Sequence, residues 1–138
     1  MGAIKVTTSS FEAKVISILL KAGYKFEREK TFPDLKNGYY RFDFYLPSLE
    51  ILIEVDGRQH FEYTPHFHKK KTDFTKAQER DRRKNSFALS HKIKLYRIPF
   101  WEIKEIERFE DIINEKFLVK SKFHNDELWR TYKKCINH

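Results

Sequence analysis

The stretch ILIEVDGRQHF, residues 51–61, places acidic side chains at the end of an apolar segment. Its continuous apolar run is typical of a strand that is buried on both faces of a sheet. Because side chains alternate along a strand, Glu54 and Asp56 share one face at a separation of about 6.6 Å. Gly57 then turns the chain toward His60. Two acids at the end of a core strand need a chemical explanation, since the chain as a whole is basic.

The preceding segment, RFDFYLP at residues 41–47, alternates as a strand does and carries Asp43. If the two strands pair across the short turn between them, Asp43 faces Glu54 and Asp56. Three carboxylates that converge repel one another unless a cation lies among them, and oxygen ligands of this kind suit Mg²⁺ or Mn²⁺. The pattern therefore predicts a divalent-metal site at Asp43, Glu54 and Asp56. The alternative is that these acids lie on the surface in salt bridges with nearby Arg and Lys side chains.

The remaining periodicities predict an α/β fold in which helices flank a small mixed β-sheet. An amphipathic helix begins after Ser9, which forms a capping box with Glu12, and ends at Gly23. The other predicted elements are an extended segment at 24–32, a hairpin connection at 33–38, strands at 39–47 and 51–57, a long loop at 58–74, a helix at 75–91, a third central strand at 92–100 and one or two helices over 101–138. They predict a single domain, 1–138, with a core at about 9–103 and a C-terminal helical extension at 104–138.

The charge balance predicts a polyanionic partner. Lys and Arg number 28 against 20 Asp and Glu, which gives a formal net charge of +8. Such a balance favours nucleic acid first and an anionic membrane surface second. Cys135 is the one cysteine, so an intrachain disulfide is excluded and a reducing cytosol is expected. Residues 1–10 lack the apolar region of a signal peptide, and no segment reaches the ~18–20 apolar residues of a membrane span, so a soluble cytoplasmic protein is predicted.

The order of these motifs resembles the very-short-patch-repair-like branch of the PD-(D/E)xK nuclease superfamily. The pattern Asp43–x10–Glu54–x–Asp56 is similar to the superfamily core, and the likeness covers roughly residues 9–103. The segments that carry it are SSFE, RFDFYLP, IEVDGRQHF, ERDRRKN and KLYRIPFWEI. The resemblance implies a restriction-endonuclease-like core and a DNA endonuclease that depends on Mg²⁺ or Mn²⁺.

The resemblance also implies a role for individual acids. Asp43 would be the principal metal ligand, and Glu54 or the carbonyl of Val55 would add to the same ion. Glu12 matches a helix acid of this branch that supports the metal or the water, a role that its capping box does not exclude. Asp81 matches the acid that begins the second helix, although an acid at that position is also favoured by the helix dipole.

The resemblance also implies a role for His60, and Asp56 is a position at which the sequence departs from the superfamily pattern. His60 matches the active-site histidine of the branch, where it would act as general acid or base or orient the attacking water. The superfamily usually has Lys where this chain has Asp56, and a carboxylate cannot stabilise a phosphate directly. Either His60 or Lys84 supplies the missing cation, or Asp56 binds a second metal, or activity has been lost.

Basic side chains on both sides of the helix start are candidates for phosphate contacts, which give affinity without sequence information. They are Lys69, Lys70, Lys71, Lys76, Arg80, Arg82 and Arg83. Interleaved aromatic residues either stack on bases or pin the loop to the core; they are Phe61, Tyr63, Phe67 and Phe74. His66 and His68 lack cysteine partners for a structural zinc site, so a phosphate-facing loop is the favoured interpretation.

Other functions fit the same pattern. The first is a DNA-binding module that kept the fold without the chemistry, and the second is a nuclease directed at RNA. A third is a structural subunit of a recombination or transposition complex. Because cleavage of both DNA strands usually needs two active sites, a homodimer is one predicted arrangement.

Overall fold

Four strands form one mixed sheet in the computed structural model, which describes residues 9–137. The strands are β1 (Glu27–Thr31), β2 (Arg41–Leu46), β3 (Ile51–Asp56) and β4 (Lys94–Pro99), in that order across the sheet. β1 pairs antiparallel with β2, β2 pairs antiparallel with β3, and β3 pairs parallel with β4. The helices are α1 (Ser10–Ala22), α2 (Lys71–Ser90), α3 (Phe109–Ile112) and α4 (His124–Ile136). The predicted α/β class, a small mixed sheet flanked by helices, is confirmed, but β4 lies at the edge of the sheet rather than at its centre.

The sheet has a separate apolar layer on each face. Ile53 and Val55 of β3 pack in the cluster that contains the α1 residues Val15 and Leu19. Leu52 packs on the opposite face with residues of α2. All six residues of β3 are buried, as its unbroken apolar run predicted.

The first helix follows its sequence signals. The Ser9 side chain accepts a hydrogen bond of 3.1 Å from the Glu12 backbone N–H, so Ser9 caps the helix. Gly23 ends it at φ +80°, a left-handed conformation in which a residue with a Cβ is strained. The second helix begins at Lys71, earlier than predicted, because the Asp73 carboxylate accepts a 3.0 Å hydrogen bond from the Lys70 N–H and fixes the first turn.

The long helix predicted over 101–123 is wrong. That segment contains only a 3₁₀ turn at Ile103–Glu105, α3, and a 3₁₀ turn at Glu115–Phe117. Its apolar residues recur at near-helical spacing because successive short turns pack onto the α1 side of the core. The chain then covers the free edge of β4, since Val119 N–H donates to the Leu95 carbonyl at 2.9 Å. The final predicted helix is present as α4.

The predictions from residues 1–8 lie outside the described residues. Among the helices that the structure describes, none is both long enough and apolar enough to cross a membrane.

Adjacent leucines on α1 test the packing of this layer. Leu19 is fully buried, whereas Leu20 is 65% exposed. We expect Leu19→Ala to lower the free energy of unfolding by about 3–5 kcal/mol, because it leaves a cavity in the core. Leu20→Ala, the matched control, should change it by no more than about 0.5 kcal/mol in urea unfolding. Equal losses for the two variants would contradict the assigned face of α1.

Candidate functional site

The two core strands separate at a point that we call the β2–β3 fork, formed by Asp43, Glu54 and Val55. Backbone pairing between β2 and β3 runs from Leu46–Ile51 to Phe44–Ile53. Beyond it, the Asp43 N–H donates to the Glu54 carboxylate at 3.3 Å, and the Val55 N–H donates to the Asp43 carboxylate at 2.8 Å. Each carboxylate is therefore held by the backbone of the other strand. The predicted approach of Asp43 to Glu54 is confirmed.

The fork opens into a cleft of about 490 Å³, which we call the acidic cleft. Its lining includes predicted site residues from five separate elements of the chain. They are Glu12, Asp43, Glu54, His60, Arg80 and Lys84. The structure thus gathers acids, an imidazole and cations around one open space.

Lys84 reaches the acidic cleft from α2 and is almost fully buried. Its ammonium nitrogen lies 2.6 Å from a Glu54 carboxylate oxygen and 5.0 Å from the centre of the Phe42 ring. A cation in this position neutralises Glu54 in an environment where an unpaired carboxylate would be costly. The strand position two residues after Glu54 holds Asp56, and the ammonium in this cleft comes from α2 instead.

Burial changes the pKa of the other two acids of the cleft, Asp43 and Glu12. Burial raises the pKa of Asp43 well above its usual range, and the neighbouring Glu54 carboxylate raises it further. Burial also raises the pKa of Glu12, against the opposing effect of Arg28, with which Glu12 forms a salt bridge. The Glu12 carboxylate therefore points toward β1 and the cleft. A positive charge brought to Asp43 would favour its ionised form.

Asp56 does not join the other two carboxylates, so the predicted three-acid cluster is wrong at this residue. Its side chain is 1% exposed, and both carboxylate oxygens accept hydrogen bonds from Arg97, at 2.9 and 3.0 Å. The Asn125 amide donates to it at 3.1 Å. Asp56 follows Glu54 on the same face of β3, but it lies deeper, where β4 and α4 cover it. Sequence spacing alone could not reveal these partners.

Asp56 belongs to a buried set of polar side chains that we call the interior network. Its members are Asp56, His60, Asp81, Asn85, Arg97 and Asn125. Arg97 lies at its centre, and its Nε donates to the Asn85 side-chain carbonyl at 2.7 Å. His60 Nδ1 lies 2.8 Å from an Asp81 carboxylate oxygen and 3.6 Å from Asp56. His60 lines the acidic cleft as well, so it connects the network to the open site.

The interior network keeps His60 positively charged. Burial opposes the charged imidazole, but Asp81 and Asp56 outweigh that effect and raise the pKa of His60 to about 9. Burial likewise disfavours ionised Asp81, yet His60 and Arg97 hold the pKa of Asp81 below its usual range. Two carboxylates thus face a guanidinium and an imidazolium, and their charges cancel.

His124 has the opposite environment. Burial and the nearby Arg97 guanidinium lower the pKa of His124 to about 4. Its Nε2 atom is buried without a hydrogen-bond partner. His124 is therefore neutral at pH 7, whereas His60 is charged.

The predicted phosphate-binding residues divide into two groups. Arg82 binds the Asp126 carboxylate through two hydrogen bonds of 2.9 and 3.1 Å, and Arg83 forms a 2.9 Å salt bridge with Glu79. Both guanidinium groups are thus paired within the chain. The others are exposed: Lys69, Lys70, Lys71, Lys76 and Arg80.

A second cleft of about 430 Å³ adjoins the acidic cleft and is lined by Lys76, Arg80 and Phe67. His68 also contributes to its wall, but it is 5% exposed and accepts a 3.0 Å hydrogen bond from the Thr64 N–H. The phosphate-facing interpretation of His68 is therefore wrong, because this imidazole holds its own loop together. Phe61 is buried too and stacks on Trp129 of α4, with ring centres 5.5 Å apart, so it packs in the core.

The contributions of Arg97, Asn125 and Arg28 were not predicted from the sequence. A signal existed for Arg97, because an arginine inside the apolar strand KLYRIPF needs a buried anion opposite it. No local pattern pointed to Asn125, which is 69 residues from Asp56 in the chain.

The fork offers two carboxylates as potential ligands for a metal ion. Within residues 9–137, no group of three or more His, Cys, Asp or Glu side chains is arranged to hold an ion. Mg²⁺, however, is usually bound by one or two protein carboxylates together with water and substrate phosphates. Asp43 and Glu54 supply two such carboxylates, and the fork places the Val55 backbone beside them.

Comparison with known proteins finds two viral relatives. The chain is similar to "Uncharacterized protein 307L" of Invertebrate iridescent virus 6, with 34% identity over 76 residues, which are 54% of this chain and 38% of that protein. It is also similar to "Uncharacterized protein 094L" of Frog virus 3 (isolate Goorha), with 41% identity over 68 residues, 49% of this chain and 43% of that protein. The chain therefore spans less than half the length of these curated relatives. No protein family and no solved structure matches it.

The charge of His60 can be tested by its titration. We expect ¹⁵N NMR to show His60 protonated at pH 7 and His124 neutral. The folded pKa of His60 lies above its ordinary value of 6.5, so the stabilisation is complete below pH 6.5 and is lost as pH rises through about 9. The wild-type advantage over His60→Gln in free energy of unfolding, at most about 3 kcal/mol, should shrink over that window. A His60 pKa near 6.5 would contradict the charge balance of the interior network.

A second test removes the centre of the interior network. We expect Arg97→Met to lower the free energy of unfolding by about 3–5 kcal/mol, because Asp56 and Asp81 lose a buried counter-charge. Arg108→Met, at an exposed arginine, is the matched control and should change it by no more than about 0.5 kcal/mol. Similar urea midpoints for wild type and Arg97→Met would show that the network does not hold the fold together.

Proposed function

We propose that this protein is a metal-dependent endodeoxyribonuclease with a PD-(D/E)xK-type, restriction-endonuclease-like core. The observation that supports it best is the pairing of Asp43 with Glu54 across the β2–β3 fork, with Lys84 against Glu54 in the same cleft. Two facing carboxylates and a buried lysine are the groups that phosphodiester hydrolysis of this class uses.

Asp43, Glu54 and the carbonyl of Val55 would hold Mg²⁺ or Mn²⁺. Such an ion activates water and neutralises charge that develops on a phosphate. In this proposal, Lys84 takes the place of the strand lysine, and its ammonium binds a phosphate oxygen in the transition state. Because Lys84 supplies this cation from α2, the strand position of Asp56 does not need a lysine, and the Asp56 carboxylate binds Arg97 in the interior network.

His60 acts as an acid in this proposal. An imidazolium can donate a hydrogen bond or a proton to the leaving oxygen, but it cannot accept the proton of the attacking water. Asp81 holds the ring through Nδ1, which orients the other edge of the imidazole. Glu12 also lines the cleft, where a carboxylate can orient the attacking water.

A second candidate function is DNA binding without cleavage. The observation that favours it is the pairing of the acids within the chain: Glu12 with Arg28, Glu54 with Lys84, and Asp56 with Arg97. Exposed basic residues such as Lys76 and Arg80 would bind phosphates in either case. The two proposals differ only in whether Glu54 is released from Lys84.

Supercoiled plasmid incubated with Mg²⁺ or Mn²⁺ tests the nuclease proposal. We expect wild type to relax or linearise the plasmid and Asp43→Asn to lower the rate about 100-fold or more, since one charged group at the transition state is lost. Binding of the plasmid should be unchanged or tighter, because a negative charge facing the phosphate has been removed.

Asp34→Asn, at an acid that is exposed and outside both clefts, is the control and should cleave as wild type does. Cleavage by Asp43→Asn at the wild-type rate would exclude the fork as the catalytic site. Binding without cleavage in wild type would favour the second candidate, and cleavage of RNA alone would change the substrate class.

A further inference from the structure

We propose that the acidic cleft and the second cleft form one groove for a single-stranded segment of DNA. Tyr39 and Phe67 would stack on unpaired bases at its two ends. This inference rests on the proposed function for the position of the phosphate, and it adds the class of substrate.

The two clefts adjoin each other. Gln59, His60 and Arg80 line both of them. Tyr39 lines only the acidic cleft, and Phe67 lines only the second cleft. Each cleft therefore has one exposed aromatic ring in its lining.

Both rings are unusually exposed for aromatic side chains. Tyr39 is 76% exposed and Phe67 is 60% exposed, whereas Phe61 of the same loop region is 5% exposed. Their ring neighbours, Tyr40 at 5.9 Å and His66 at 4.9 Å between centres, leave most of each ring in contact with solvent. Phe67 has no polar atom on its side chain, so its exposure is costly unless a ligand covers the ring.

Cations along the groove match a phosphate backbone. Arg41 lines the acidic cleft, Lys76 lines the second cleft and Arg80 lines both. All three are exposed, and within residues 9–137 none of them forms a salt bridge. Arg82 and Arg83, by contrast, are paired inside the chain. Exposed cations that alternate with aromatic rings are the pattern by which proteins bind single strands.

Unpaired bases fit these rings better than a continuous duplex does. In a duplex each base face is covered by the next base pair, and opening a step costs a few kcal/mol. Two rings in separate halves of the groove would require two such openings. A single strand presents its base faces without that cost, and stacking on an aromatic side chain tolerates any sequence.

The test measures binding without metal, so that it is independent of cleavage. Fluorescence anisotropy in EDTA compares a labelled DNA oligonucleotide of about 15 nucleotides with its duplex and with RNA of the same sequence, using the full chain. We expect the single-stranded DNA to bind about tenfold more tightly than the duplex. Tyr39→Ala and Phe67→Ala should each weaken single-strand binding at least fivefold, which is about 1 kcal/mol for one lost stack, and should weaken duplex binding less than twofold.

Tyr39→Phe and Phe67→Tyr, the matched controls, keep the ring and should bind the single strand as wild type does. Equal affinity for duplex and single strand, tighter binding of RNA, or equal losses on both DNA forms would overturn the inference. Single-strand preference with no Mg²⁺-dependent plasmid cleavage would support the groove and refute the nuclease. Plasmid cleavage without ring-dependent binding would do the reverse.

Discussion

The fold depends on one buried guanidinium. Arg97 is 0% exposed, and it binds both oxygens of Asp56 on β3 and the side chain of Asn85 on α2. Its own position is on β4, so one side chain fixes two strands and a helix relative to one another. Asn125 extends the contact to α4 through Asp56. A planar group with five donors suits this task, whereas an ammonium could not satisfy several elements in fixed directions.

The same contact determines the geometry of the cleft. Lys84 and Asn85 lie three and four residues after Asp81 on α2, so each of them projects from the same face of the helix as Asp81. Once Asn85 and Asp81 are held in the interior network, Lys84 must point at the β2–β3 fork, where it meets Glu54. His60 is held by Asp81 in the same way. The interior network therefore orients Lys84 and His60, and His60 is its one member that also lines the acidic cleft.

The local part of this arrangement could be predicted from sequence. The approach of Asp43 to Glu54 follows from the two-residue period of strands and the short turn between β2 and β3. The continuous apolar run of β3 predicted that this strand is buried. The role of Asp56 could not be predicted. The two-residue period of the strand places Asp56 on the same face as Glu54, and it does so equally well for a metal ligand and for the partner of an arginine on another strand. The partner depends on β4 lying next to β3, with Glu54 opposite Arg97 in the register. The prediction of a helix over 101–123 was wrong for a related reason. The buried apolar residues of several separate short turns recur in the sequence at nearly the spacing of a helix.

The chain treats its two buried cations differently, and the proposed chemistry depends on that difference. Arg97 is fixed by hydrogen bonds to several groups, and removing it from Asp56 would leave charges unpaired in the interior. Lys84 has a flexible four-carbon stem, forms a salt bridge with Glu54, and lies at the wall of an open cleft. Its ammonium neutralises Glu54, which allows the facing carboxylates of Asp43 and Glu54 to lie close together in the folded chain. A nuclease needs that contact to exchange for a contact with phosphate, whereas a protein that only binds DNA can keep it. The free energy of the Lys84–Glu54 salt bridge, compared with that of a contact between Lys84 and phosphate, is thus the physical quantity that distinguishes the two proposed functions.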